Sequence, residues 1–89
     1  MTVIHADNIR GLALAIVQQA CADYREHRKI VKEADEYIAE NPWSNWSLKR
    51  YAALSQMHDI EKFIRSPWFE ILTDLDPETL IRKLKEVEI

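Results

Sequence analysis

Apolar residues return every three or four positions along the first half of the chain. Ile9, Leu12, Ile16, Ala20, Tyr24, Val31, Ala34 and Ile38 fall on one stripe of a helix. Asp7 or Asn8 can cap that helix, and the step Asn41-Pro42 stops it, because the residue before a proline is driven out of the α region. The pattern therefore predicts a helix from Asn8 to about Glu40. The connector "NPWSNWS" follows, with Ser44 or Ser47 as a cap for a second helix whose apolar face is Trp46, Ala53, Met57, Ile60 and Ile64.

Two further prolines divide the rest. Ser66-Pro67 and Asp76-Pro77 each pair a good N-cap residue with proline at the first helical position, where the missing N–H costs nothing. A short helix from Pro67 to about Thr73 is expected to bury Trp68, Phe69, Ile71 and Leu72. After Leu75, a last helix from Pro77 to Val87 supplies Leu80, Ile81, Leu84 and Val87. Nothing alternates as a strand does, and no repeat of fixed period is present. The prediction is a single all-α domain over residues 1–89, in which a long N-terminal helix forms a hairpin with the second and is followed by one short and one C-terminal helix.

The first helix is long for so small a domain. From Asn8 to Glu40 it spans roughly 50 Å at 1.5 Å per residue, whereas a compact domain of this size has a radius of gyration of about 12 Å. Its apolar stripe continues through Val31, Ala34 and Ile38. These three residues are therefore a candidate interface for a homodimer packed antiparallel along the helix. A kink in the helix, or a hairpin in which the second helix covers the whole stripe, is the competing explanation.

Composition narrows the class. The chain is 47% hydrophobic and 30% charged with one glycine, Gly11, which suits a helical globule and excludes a disordered chain. Twelve basic and fifteen acidic side chains leave a net charge of −3, divided as −2 before and −1 after Ser44, so neither half is a basic arm for nucleic acid. A lone cysteine, Cys21, permits no internal disulfide and points to a reducing cytoplasm. The longest apolar run, "LALAIV" from Leu12 to Val17, is too short to span a bilayer and follows no cationic leader, so neither a membrane nor export is expected.

No catalytic constellation stands out. Asp23 and His27, four apart on the apolar stripe, can be a carboxylate orienting an imidazole, but a paired polar couple in the core or at an interface, with Arg65 as a candidate partner, is the favoured reading. No serine or cysteine is placed to act as a nucleophile. "DLDPE" (Asp74, Asp76, Glu78) superficially suggests a cation site, yet it lacks the glycine and terminal glutamate of a calcium loop. Asp76 as N-cap and Glu78 in the first turn explain it better. His58 and Glu61 share a helix surface without the matching ligands of a di-iron site, and Cys21 reads as a small buried hydrophobe. No metal and no cofactor is expected. Arg25, Arg28, Lys29 and Lys32 are the one basic cluster, placed opposite the apolar stripe, though Glu33 and Glu36 at i+4 make an ordinary solvated face of it. Trp43 and Trp46 in the connector can stack bases or fill a partner's pocket, or else close the end of a small core.

"AIVQQACADYR" (Ala15 to Arg25) and "DIEKFIRSPWFEILTDLDPETLIRKL" (Asp59 to Leu84) together carry a resemblance. They are similar to a group of small helical proteins encoded in prophages and mobile elements of Firmicutes. That group follows a pattern close to E-I-E-x-F-F-R-S-x-W-F-x-x-L-T-D-L-D-G-x-x-L-I, preceded by D-Y-R on a long first helix. The two blocks cover 37 of the 89 residues. This chain departs at Ile64, where the group has an aromatic residue, and at Pro77, where it has glycine; both changes suit the helical reading. The group has no assigned activity, so the resemblance implies a phage-like origin and a helical fold rather than a reaction. The resulting expectation is a non-enzymatic helical interaction module, a regulator or inhibitor of a host or phage protein. The alternative is a small nucleic-acid-binding protein using the basic surface of the first helix.

Overall fold

The computed structural model of the chain describes residues 6–86, with side chains from residue 11 onward. Four helices follow one another: α1 (Ala6–Glu40), α2 (Trp46–Ile64), α3 (Pro67–Leu72) and α4 (Pro77–Glu86). No strand is present among the described residues. The all-α architecture with its helical hairpin is as the hydrophobic pattern predicts. Asp7 and Asn8 lie inside the first turns of α1 rather than before it, and Val87 lies outside the described residues.

α1 is 35 residues long and unbroken by proline, and the molecule is correspondingly elongated, 58 × 29 × 21 Å. α2 runs back antiparallel along it. At the connector end, the Tyr37 ring stacks on Trp46 at 4.8 Å between centroids, and Lys49 Nζ sits 4.4 Å from the Trp46 ring centre. Ala34 and Ala53 are both buried; residues this small let the two helices approach closely. Arg50 and Asp35 form an ion pair across the same seam. Val31, Ala34 and Ile38 are thus covered within one chain: Ala34 has no exposed surface, and Val31 and Ile38 are partly buried. The hairpin thus supplies within one chain part of the cover that the stripe needs, through the second helix as the competing explanation has it.

All four helices meet at the other end of α2. Val17, Tyr24, Ile64, Phe69, Ile81 and Leu84 form the core, with Cys21, Met57, Ile60, Phe63, Leu72 and Leu80 packed around it. Phe63 and Phe69 meet edge to face at 6.1 Å, a favoured aromatic geometry. The burial differs from the expected stripe in two places. In α1 the inward positions are Ala13 and Val17, while Leu12, Leu14 and Ile16 are exposed. In α3 only Phe69 is fully buried. Trp68 and Ile71 are 68% and 76% exposed, because a six-residue helix can turn just one side toward the core.

The punctuation between helices works in more than one way. Asp76 caps α4 as expected: its Oδ2 accepts the Thr79 N–H at 2.9 Å and the Thr79 hydroxyl at 2.6 Å. Ser66 occupies the N-cap position of α3, but its hydroxyl donates backward to the Phe63 carbonyl at 2.6 Å and so satisfies the end of α2 instead. Neither Ser44 nor Ser47 caps α2. Asn45 stands at the N-cap without a side-chain hydrogen bond, Ser47 lies inside the helix, and the Ser44 hydroxyl is buried with no partner.

Candidate functional site

The α1–α2 hairpin has two broad faces, and they are treated differently. One is covered by α3 and α4. Arg28 Nη1 donates to the Leu84 carbonyl at 3.0 Å, and Lys85 Nζ lies 3.3 Å from Glu61 Oε1, so both long helices hold α4. Arg65 grips Glu78 through Nε–Oε1 at 2.7 Å and Nη2–Oε2 at 3.2 Å, the paired geometry that a guanidinium makes with a carboxylate. The Tyr24 hydroxyl is buried under this face without a well-formed hydrogen bond. Burial and the nearby Glu61 charge both push its pKa up.

Among the described residues, the other face is open. Between the helices runs a shallow groove. At one end it widens into a hollow of about 360 Å³ floored by Ile16, Ala20, Ile60 and Phe63, with Gln19, Asp23 and Asp59 at the rim. Toward the connector it narrows to about 170 Å³ between His27 and Ile30 of α1 and Lys49, Ala52, Ala53 and Gln56 of α2. The spacing explains why one face carries all of these residues. Ile16, Gln19, Asp23, His27 and Ile30 recur at helical intervals on α1, as do Lys49, Ala52, Gln56, Asp59 and Phe63 on α2. The groove is acidic at its wide end, through Asp23 and Asp59, and cationic toward its narrow end, through Lys49.

Asp23 and His27 do not form the expected buried pair. Asp23 is exposed and accepts a hydrogen bond from Gln19 Nε2 at 2.8 Å. His27 is partly buried with its Nδ1 unpartnered, and Arg65 is engaged with Glu78 instead. The stripe drifts around α1 over about eight turns, which leaves Asp23 on its edge.

The basic cluster divides in the same way. Arg25, Lys29 and Lys32 are exposed, whereas Arg28 is partly buried and turned toward α4. Lys29 and Lys32 share a small surface depression with Glu33 and Glu36, the mixed-sign face that the i+4 spacing predicts. Of the two connector tryptophans, Trp46 closes the hairpin end, while Trp43 is 95% exposed. Trp68 and Ile71, three apart on α3, make an exposed apolar group, and Leu75 beyond the helix is exposed too. The sequence signal for that group was present, since Trp68 and Ile71 are three apart, but the same spacing equally fits a core.

Asp74, Asp76 and Glu78 do not come together as a cation site. No group of three or more His, Cys, Asp or Glu side chains able to hold a metal ion occurs among the described residues. The hydrogen bonds from Thr79 hold the Asp76 carboxyl below its ordinary pKa, and the Arg65 contact does the same for Glu78. Burial raises the pKa of the Cys21 thiol, offset in part by the Arg25 charge. None of the described helices is long and apolar enough to cross a membrane. No protein-family model matches the chain, and no curated protein or solved structure matches it.

Proposed function

We propose that the chain is a non-enzymatic helical module that works by binding other proteins, a regulator or inhibitor of a host protein. The observation that carries this reading is the outer side of α3. Trp68 and Ile71 stand three residues apart on a helix too short to hold itself together, and both are more than two-thirds exposed. Leu75, 52% exposed, lies just beyond them. Aromatic residues dominate the binding energy of protein interfaces, and contiguous apolar side chains left in water mark such surfaces. The Glu70 carboxylate on the same helix is exposed too, which keeps the patch amphipathic.

The test is quantitative co-purification from host extract with the parent chain and with the double variant Trp68→Ala/Ile71→Ala, whose fold is checked by circular dichroism. Loss of a specific partner from the double variant supports the reading; identical recovery by both sinks it. The alternative reading, a small nucleic-acid binder, retains Arg25, Lys29 and Lys32 on the surface. It requires a salt-sensitive shift of DNA or RNA that disappears when Arg25 and Lys29 are reversed to glutamate.

A further inference from the structure

We propose that the open groove of the α1–α2 hairpin takes a second copy of the same chain, packed face to face so that the two hairpins form a four-helix layer. This rests on reading the chain as an interaction module, but it concerns a different surface from the outer side of α3. The groove's own charge arrangement names the occupant. Asp59 at the wide end and Lys49 at the narrow end lie ten residues apart on α2, about 15 Å along the helix. A two-fold axis lying between the copies, at right angles to the helices and midway between these two residues, runs the two α2 helices antiparallel. It brings Lys49 of each copy to Asp59 of the other.

The same operation decides everything else along α2. Ala52 comes opposite Gln56 twice, so at the centre of the contact each exposed alanine leaves room for the other copy's longer amide side chain. Leu48 comes opposite Ile60. Leu48 is 71% exposed in the single chain, and Ile60 floors the 360 Å³ hollow. Each copy therefore carries both a projecting apolar side chain and the recess that receives it, at positions exchanged by one rotation. That reciprocity is what a two-fold interface requires. A foreign basic helix would meet Asp23 and Asp59 but would be repelled by Lys49; a second copy meets Lys49 and Asp59 each with its opposite. The apolar ends supply the attraction, and the charge pairs fix the register and exclude the parallel arrangement, in which Asp59 would face its own level on the other hairpin.

Light scattering after size exclusion of the purified full chain at tens of micromolar should give about twice the 10.5 kDa chain mass. Lys49→Glu alone and Asp59→Lys alone should each raise the dimer dissociation constant tenfold or more, since each sets like charges against one another. The double swap Lys49→Glu/Asp59→Lys should return it to within about threefold of the parent, because two-fold symmetry restores both pairs at once. Lys49 also rests on Trp46 in its own chain, so Ala52→Glu, at an exposed position, provides a second disruption that does not touch that contact. A monomer mass for the parent overturns the proposal, as does a dimer indifferent to all of these variants or a double swap no better than its singles. Because the measurement uses the purified chain alone, its failure leaves the co-purification through α3 standing, and the reverse is also true.

Discussion

The Arg28 guanidinium of α1 donates to the main-chain carbonyl of Leu84, 56 residues later, at 3.0 Å. Leu84 lies in the last turn of α4, where carbonyl oxygens run out of intrahelical N–H partners. A cation placed at a helix C-terminus also meets the negative end of the helix dipole. Arg28 therefore fastens the last helix to the first while satisfying it, a role that its neighbours Arg25 and Lys29, exposed on the same helix, do not share.

Arg28→Ala should accordingly destabilise the domain by about 1 to 2 kcal/mol, the range of a partly buried hydrogen bond from a charged donor. Arg25→Ala should stay within about 0.5 kcal/mol, as for other surface substitutions. Urea unfolding followed by circular dichroism measures both. Equal effects at the two positions would mean that the Leu84 contact contributes nothing.

The neighbouring aromatic residues Trp68 and Phe69 should separate sharply. Phe69 has no exposed surface and contacts Phe63, so Phe69→Ala should cost about 3 to 5 kcal/mol, much of the stability of a domain this small. Trp68→Ala removes a mostly exposed ring and should cost under about 1 kcal/mol. Thermal melts of the two variants side by side decide it. A Trp68 variant that melts as low as the Phe69 variant would place that ring in the core after all.

These two residues also show how far the sequence could be read. Helix boundaries were legible because proline acts locally: Asn41-Pro42, Ser66-Pro67 and Asp76-Pro77 each fall at an observed boundary. Orientation was less legible, because it depends on what lies across from a residue. Periodicity places Leu12 and Ile16 on an apolar stripe, yet the neighbouring Ala13 and Val17 turn inward. In "PWFEIL" every apolar residue is a fair core candidate, and only the entry angle of α3 selects Phe69. The open groove was not legible at all, since it is defined by what α3 and α4 leave uncovered. Its residues Gln19, Gln56 and Asp59 each look like ordinary solvated positions, and Asp23 reads as half of a core pair with His27 rather than as part of an open rim.

The cap on α4 predicts a pH dependence. Asp76 and Glu78 both have pKa values lowered in the folded chain, by the Thr79 hydrogen bonds and the Arg65 contact respectively. A lowered folded pKa means that the charged form is favoured by folding. The stabilisation is present in full above the ordinary carboxylate range and is lost as pH falls through the depressed values. Melting temperature should therefore hold near neutral pH and decline on acidification from about pH 5 downward. Asp76→Asn keeps an acceptor oxygen for Thr79 but does not titrate, so its decline should be shallower. An identical acid profile for parent and variant would remove Asp76 from the explanation.

Cys21 is partly buried against the core, and burial raises its thiol pKa. Because the thiolate is the reacting species, iodoacetamide at neutral pH should modify the native chain several-fold more slowly than the urea-unfolded chain. Mass spectrometry of timed samples gives the two rates. Comparable rates would show that the α1 face around Cys21 opens readily.

The one glycine offers a stabilising change whose outcome depends on how firmly the outer part of α1 is held. Gly11 sits inside α1 with a negative φ, and a Cβ added there would meet nothing within 4 Å. Glycine in a helix interior is less favourable than alanine by about 0.8 to 1 kcal/mol, because it surrenders more backbone freedom on folding. The position lies where α1, at 35 residues, runs past the end of the 19-residue α2, so few tertiary contacts compete with that local preference. If the first turns of α1 unfold together with the core, the whole gain enters global stability. Gly11→Ala should then raise the melting temperature by about 4 to 8 °C per kcal/mol for a domain of this size. If those turns fray on their own, the gain appears instead as slower amide exchange around residues 11–16 with the main transition unmoved. Our expectation is the first outcome, since Ala13 and Val17 are buried immediately beyond the glycine and tie the segment to the rest of the fold. Faster exchange or a lower melting temperature in the alanine variant would mean that α1 is not a regular helix at this point.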